Sequence, residues 1–286
     1  MILSLRGRLL IVSQSYAAGL SEKQFLNQYN SGDFPRPSVT VDIVIFTVAD
    51  VRKDNHNYRK LSEKELRILL IKRGGHPYIG QWALPGGFVH PDETVGEAAN
   101  RELSEETGIQ GNYLEQLYTF SKPGRDPRAW VISCAHMALI DSEGLNLSAG
   151  SDACDAMWFA VKTEKKADRI NLLLSSEKIN LSAIIMPKSN RFEFQIIENN
   201  GLAFDHAEII ICAIARLKSK PEYNDSAFSL MPEEFTLTEL QQVYEAILGK
   251  PLFKAAFRRK IADMVKETGR FTSEKGHRPA KLYTKK

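Results

Sequence analysis

Apolar positions set the elements of this chain before any composition is considered. Alternating or continuous β-branched and aromatic residues predict strands over 38–48, 66–72, 113–120, 129–140 and 156–161. The segment 172–204 reads as further hairpins, with Asn199-Asn200-Gly201 as a turn signal. Elsewhere the period lengthens to that of a helix. Residues 21–29 read as helical, and Thr94 with Glu97 three positions on forms a capping box for a helix to about Thr107, which Gly108 ends. Val95, Ala98, Ala99 and Leu103 supply its apolar face. Asp205 is placed to cap an apolar helix over 206–217.

Beyond a break at 218–224 the pattern changes. Thr236 and Glu239 box a helix carrying Leu240, Val243, Tyr244, Ile247 and Leu248, with Gly249 as its stop. A turn at Lys250-Pro251 leads to a second helix, in which Phe253, Phe257, Ile261 and Met264 line one face and Ala255, Arg258, Arg259 and Ala262 the other. A hairpin follows, pairing 270–271 with 281–283 around a tip of Lys275, Gly276, His277 and Arg278. Two helices at a sharp turn and a basic hairpin resemble a winged helix-turn-helix.

At 286 residues the chain exceeds one average domain. Pro35 and Pro37 and the break at 218–224 divide it into an N-terminal extension (1–36), a central domain (37–220) and a C-terminal domain (221–286). No apolar run reaches membrane-spanning length, and Arg6 and Arg8 interrupt the short apolar start that would otherwise suggest a signal peptide. A cytoplasmic protein is expected. Cys134, Cys154 and Cys212 are odd in number and lack metal spacing, so reduced thiols are expected. The net charge of +3 conceals an asymmetry: eleven Lys or Arg against three acids from Pro251 onward make +8, leaving −5 for the rest. An acidic body with a basic end implies different partners for the two, nucleic acid for the basic one.

The acids of the first boxed helix carry the sharpest chemistry. Glu102, Glu105 and Glu106 lie three and four apart, which brings three carboxylates towards one side. Oxygen-only ligands of this kind suit Mg²⁺ or Mn²⁺ held together with substrate phosphates. Arg101 is placed to orient a glutamate, and Gly86-Gly87 gives a turn that can approach a phosphate or lend a carbonyl to metal. The plainer alternative is a solvated acidic helix face. Weighing against it, residues 87–109, GFVHPDETVGEAANRELSEETGI, match every fixed position of the Nudix box, namely Gly87, Glu93, Arg101, Glu102, Glu105, Glu106 and Gly108 with apolar Leu103 and Ile109. This resemblance implies an αβα sandwich that acts on a nucleoside diphosphate linked to another group. It assigns metal to Gly87, Glu102, Glu105 and Glu106, with Arg101 completing the catalytic set.

Arg73, Arg125 and Arg128, with the Gly86 backbone, are candidates to grip a diphosphate or terminal ribose; surface arginines are the alternative. Asp152 and Asp155 read as turn residues, with an extra base or metal ligand as the alternative, Trp82 and Trp130 as core or as an adenine platform, and His206 as part of a helix start. Lys254, Arg258, Arg259, Lys275, His277, Arg278 and Lys281 are the candidate DNA contacts, with a solvated or oligomerising tail as the alternative. PSVTVDIVIF, GRDPR, LAFDHAEI, FTLTELQQVYEAILG, FRRK and RPAKLY together make the chain similar, from about Pro37 on, to the Nudix-related transcriptional regulators of NAD metabolism. The resemblance implies an α+β protein, a Nudix sandwich with a C-terminal winged helix. It also implies a homodimeric repressor that binds ADP-ribose or a related NAD-derived ligand and double-stranded operator DNA. Because no acidic position of the box is lost, a Mg²⁺-dependent ADP-ribose pyrophosphatase yielding AMP and ribose 5-phosphate stays open beside it.

Overall fold

The computed structural model describes residues 19–51, 63–108, 113–141, 153–188, 193–219, 225–272 and 279–286, which fall into two compact units divided in the chain between Pro37 and Ser38. In the first unit, helix α1 (Glu22–Gln28) starts at a capping box of Ser21 and Gln24 and buries none of its residues. A 3₁₀ turn (Ser31–Asp33) follows, and the Tyr29 ring packs between Phe25 and Phe34, with centroids at 5.6 and 6.0 Å.

The second unit is built on one mixed sheet. Its strands are β1 (Ser38–Asp50), β2 (Lys64–Arg73), β3 (Trp82–Ala83), β4 (Gly86–Phe88), β5 (Tyr113–Phe120), β6 (Val131–Leu139), β7 (Ala153–Lys166), β8 (Arg169–Ser175), β9 (Asn180–Pro187) and β10 (Phe194–Asn200), interrupted after β4 by helix α2 (Val95–Thr107). The order across the sheet is β10-β9-β8-β7-β2-β1-β6-β5, with β3 added beside β2 and β4 beside β1. Among the strands described, β1 and β6 pair in parallel and the other pairs are antiparallel; a single parallel bridge also joins Trp82 to Leu202. The strand period of two sends Val41, Ile43 and Ile45 of β1 to one face and Val44, Phe46 and Val48 to the other. Helix α2 covers the first face with Ala98, Ala99 and Leu103. Helix α3 (His206–Ser219) covers the second, burying ten of its residues.

The expected elements are present with different limits. The strand expected at 156–161 runs from Ala153 to Lys166, because β8 pairs along its second half and continues the ladder. Asp155, read as a turn residue, lies inside this strand opposite Lys72; Asp152 lies outside the described residues.

The C-terminal elements are helix α4 (Leu237–Leu248), helix α5 (Lys254–Ile261) and the hairpin of β11 (Val265–Phe271) and β12 (Lys281–Lys285). Thr236 and Glu239 form the expected capping box, and the backbone of Phe235 bridges to Tyr283, which adds a third short segment to the hairpin. Two helices at a turn followed by a twisted hairpin make a winged helix. Its core is continuous with that of the sheet: Leu240, Val243, Tyr244, Ile247, Phe257 and Ile261 belong to the same buried cluster as Phe46, Ile68, Met137 and the inner face of α3. Helix α4 packs against both β2 and α3. Among the described residues no helix is long and apolar enough to cross a membrane.

Candidate functional site

The first site grows from the start of α2. Thr94 accepts from the Glu97 amide, the Glu97 carboxylate accepts from the Thr94 amide, and Gly108 closes the helix in the left-handed conformation, so the face of the helix on which each residue between them lies is set. Arg101 then acts as a hub. Its Nε and Nη2 donate to Glu93 at 3.1 and 2.8 Å, its Nη1 to Glu102 at 2.7 Å, and its Nη2 also to the Phe88 carbonyl at 3.2 Å. These bonds hold the Glu93 carboxyl down to a pKa of about 2, helped by the His90 amide. At Glu102 burial prevails and pushes the pKa up, although Arg101 opposes it.

Glu102 and Glu106 are both buried, at 8% and 6% exposure, whereas the Glu105 side chain is 54% exposed and reaches Arg101 at 3.5 Å. The three-carboxylate convergence expected from spacing therefore resolves into two buried glutamates and one surface glutamate. The i,i+4 pair shares a stripe against the sheet, while the i,i+3 member is rotated towards solvent and Arg101. Among the described residues no cluster of three or more His, Cys, Asp or Glu stands ready to hold a metal by itself. Gly87 completes the arrangement: a Cβ there would collide with the Glu102 carboxylate, so glycine alone lets that carboxylate lie against the β4 backbone. Two buried carboxylates beside an open backbone form a hard-oxygen set, which fits a divalent cation whose remaining ligands are water and phosphate oxygens.

Gly86 and Gly87 also line an adjoining pocket of about 130 Å³. Gly86 has φ of 155° and sits so close to the Val41 carbonyl that no side chain fits. Arg73, Arg125 and Arg128 are brought together in the pocket wall with Phe88, Phe204 and His206. They do different things there. The Arg125 side chain is only 5% exposed and spends its fork on Asp205, at 2.9 and 2.7 Å, and on Asp42 at 3.2 Å. Burial works against its charge, but the two aspartates outweigh it and raise its pKa. It is thus a buried tie between strand and helix rather than the free grip its sequence position suggested. Arg128 is 45% exposed, aligned by Asp126 at 2.7 Å, and stands over the Phe88 and Phe204 rings at 5.6 and 5.9 Å. Arg73 donates to the Pro77 carbonyl at 2.7 Å and lies 5.0 Å from the Phe204 ring centre.

Sequence reasoning missed Asp42, Ser133, Tyr78 and Phe204. Asp42 is an acid in the middle of a buried strand, which was the signal available; it accepts from Ser133 Oγ at 2.5 Å and lies 3.5 Å from His206 Nε2. Tyr78 and Phe204 both hold positive φ, 61° and 51°, with rings 4.7 Å apart. Strained aromatic residues of this kind are kept where the surroundings over-determine them; Phe204 lines the pocket, and Tyr78 packs on its ring. Asp205, expected to cap α3, gives its carboxylate to Arg125 and only its carbonyl to the helix start, so His206 enters the pocket as a structural link: its Nδ1 accepts from the Leu84 amide at 2.8 Å. Trp82 is core, edge-on to Phe159 at 4.9 Å, while Trp130 is exposed.

The second site is the exposed side of α5. Phe257 and Ile261 pin the helix inward, Phe257 meeting Tyr244 edge-on at 5.2 Å, and Lys254, Arg258 and Arg259 are exposed together. Lys281 is exposed on β12 but paired with Glu267 at 2.8 Å, and Lys275, His277 and Arg278 lie outside the described residues. One face differs from expectation. Phe253 is 89% exposed, because it is the extended residue before the helix (φ −73°, ψ 117°) and the helical period does not yet apply to it.

Comparison with known proteins matches residues 58–173 to the NUDIX domain and residues 227–284 to the NrtR DNA-binding winged helix domain. The chain is 36% identical over 267 residues to the ADPR responsive transcriptional repressor NtrR of Acinetobacter baylyi, covering 92% of this chain and 88% of that protein. It is also 38% identical over 149 residues to the ADP-ribose pyrophosphatase of Methanocaldococcus jannaschii, covering 52% and 76%. The crystal structure of Shewanella oneidensis NrtR complexed with a 27mer DNA superposes with a TM-score of 0.58 at 32% identity, covering 87% of this chain and 93% of that one.

Proposed function

Because the chain belongs to the NrtR family, in which a Nudix domain precedes a DNA-binding winged helix, we propose that it is an ADP-ribose-responsive transcriptional repressor of NAD metabolism genes, acting in the cytoplasm as a homodimer. The observation that carries this reading is the union of an arginine-bearing, aromatic-walled pocket with an exposed basic helix on one continuous core. Arg128 is the side chain best placed to meet a diphosphate: Asp126 aligns it, and nearly half of it remains open. Arg73 and the Phe88 and Phe204 rings form the neighbouring wall. At the other end, Lys254, Arg258 and Arg259 neutralise DNA phosphates or read base edges, which makes operator binding fall steeply with salt.

Pocket and reader are joined through α3. Asp205, just before it, and His206, its first residue, are held by Arg125 and the Leu84 amide in the pocket wall, and its body packs against α4. Ligand that shifts this wall therefore biases the reader. ADP-ribose is expected to weaken operator binding, and linkage then requires operator DNA to weaken ADP-ribose binding by the same factor, about five- to a hundredfold. The test is a DNA titration with and without saturating ADP-ribose, in calcium so that turnover does not intrude. Equal operator affinity in both arms sinks the sensor reading.

A second reading, retained hydrolysis of ADP-ribose to AMP and ribose 5-phosphate, is favoured by the intact array around Arg101. Nudix relatives depend on divalent metal, and Mg²⁺ or Mn²⁺ is proposed here, held by Glu102, Glu106 and the Gly87 carbonyl with Glu105 near the rim. When bound, the cation supplies charge to neutralise the diphosphate as water is added across it. Arg101 keeps the glutamates in place, and Arg128 and the Gly86-Gly87 backbone orient the substrate.

A further inference from the structure

Phe253 is the most exposed large apolar side chain among the described residues, at 89%. Its backbone is tied to the helix. It occupies the N-cap of α5, its carbonyl accepts the Phe257 amide at 2.9 Å, and Phe257 and Ile261 anchor that helix in the core. Its ring is thus held out at the leading end of the second helix of the helix-turn-helix, the end that contacts base edges when such a helix enters a major groove. Its surroundings are cationic: Lys254 follows it directly, Lys250 and Lys260 line the groove beside it, and Arg258 and Arg259 are exposed one turn on. A ring of cations repels a second copy of the same surface and attracts a polyanion. An apolar ring set among phosphate-binding cations has one partner of matching chemistry in a major groove, the C5-methyl group of thymine.

We propose that Phe253 reads a thymine methyl group in each operator half-site, and so supplies sequence preference that the surrounding lysines and arginines do not. The inference rests on the repressor reading given above.

The test uses the full chain and a duplex selected by the wild-type protein from a random-sequence pool. Each thymine of the selected duplex is replaced in turn by deoxyuridine, which removes only the methyl group. Wild-type protein is expected to lose about fourfold in affinity at one thymine per half-site, the worth of one buried methyl-sized group. F253A is expected to bind the thymine duplex about five- to 150-fold more weakly, the range of one lost base contact, and to be indifferent to uracil at that position. F253L, which keeps an apolar tip, restores most of the discrimination. Equal affinity of F253A and wild type for the selected duplex overturns the inference, as does an unchanged uracil penalty in F253A. So does a change of oligomeric state in F253A by sedimentation, which assigns the ring to a subunit contact. A pool from which wild type enriches no common sequence overturns the repressor reading itself.

Discussion

Arg125 grips Asp205 with two parallel hydrogen bonds, 2.9 Å from Nε and 2.7 Å from Nη2, across eighty residues of sequence. The pair is buried, and Asp42 shares the same guanidinium at 3.2 Å. One guanidinium compensates two buried carboxylates, and removing it leaves both without their cation. R125M is therefore expected to lower stability by about 3–5 kcal/mol, since it strands two buried acids. R125K should recover only part of this, because an ammonium cannot reproduce the fork. Urea unfolding of the three proteins checks the order, and a near-neutral R125M would show that the pair is not energetically coupled.

Glu102 and Glu106 are predicted to be required together for metal-dependent work. E102Q and E106Q should each cut Mg²⁺-dependent ADP-ribose hydrolysis on the order of a hundredfold or more, the usual scale for losing one electrostatic element of such a site. They should also abolish the rise in melting temperature that Mg²⁺ plus ADP-ribose gives the parent. If the double variant still cleaves ADP-ribose at the parental rate, the assignment is wrong.

His206 makes the fold sensitive to acid. Burial lowers its pKa below the ordinary 6.5; Asp42 and Asp205 oppose the shift, while Arg125 and Arg73 reinforce it. A base with a lowered folded pKa binds its proton more readily in the unfolded chain, so its stabilising contribution is complete above about pH 6.5 and is lost as the pH falls below that value. H206Q keeps an acceptor for the Leu84 amide but cannot titrate there. Its stability should fall less between pH 7 and pH 5.5 than that of the wild type, as measured by thermal unfolding. Parallel slopes would acquit His206.

Elements with local signals were legible in the sequence. The helix beginning at Thr94 was readable because a capping box, an apolar stripe and a terminal glycine agree within fifteen positions, and the same holds for Thr236 to Gly249. What escaped depended on partners distant in sequence. Nothing near Asp205 announces that Arg125 claims its carboxylate, and nothing near Glu105 shows that the sheet below α2 buries Glu102 and Glu106 while leaving Glu105 in solvent. Phe253 illustrates a subtler failure: it stands four residues before Phe257, yet helical spacing carries no information about a residue that precedes the helix. The arginines of the pocket are legible in the sequence, but the division between a buried tie and an open grip is set by burial, which depends on residues distant along the chain.

The continuous core from β2 through α3 to α4 has a consequence for how the molecule breathes. A reader with its own core could melt and re-form without disturbing the pocket. Here, loosening Leu240 or Ile247 exposes the apolar backing of the strands that carry the pocket, so the two ends belong to one cooperative opening unit. Amide protons of α4 should then share the exchange rates of β2 rather than those of the β11–β12 hairpin.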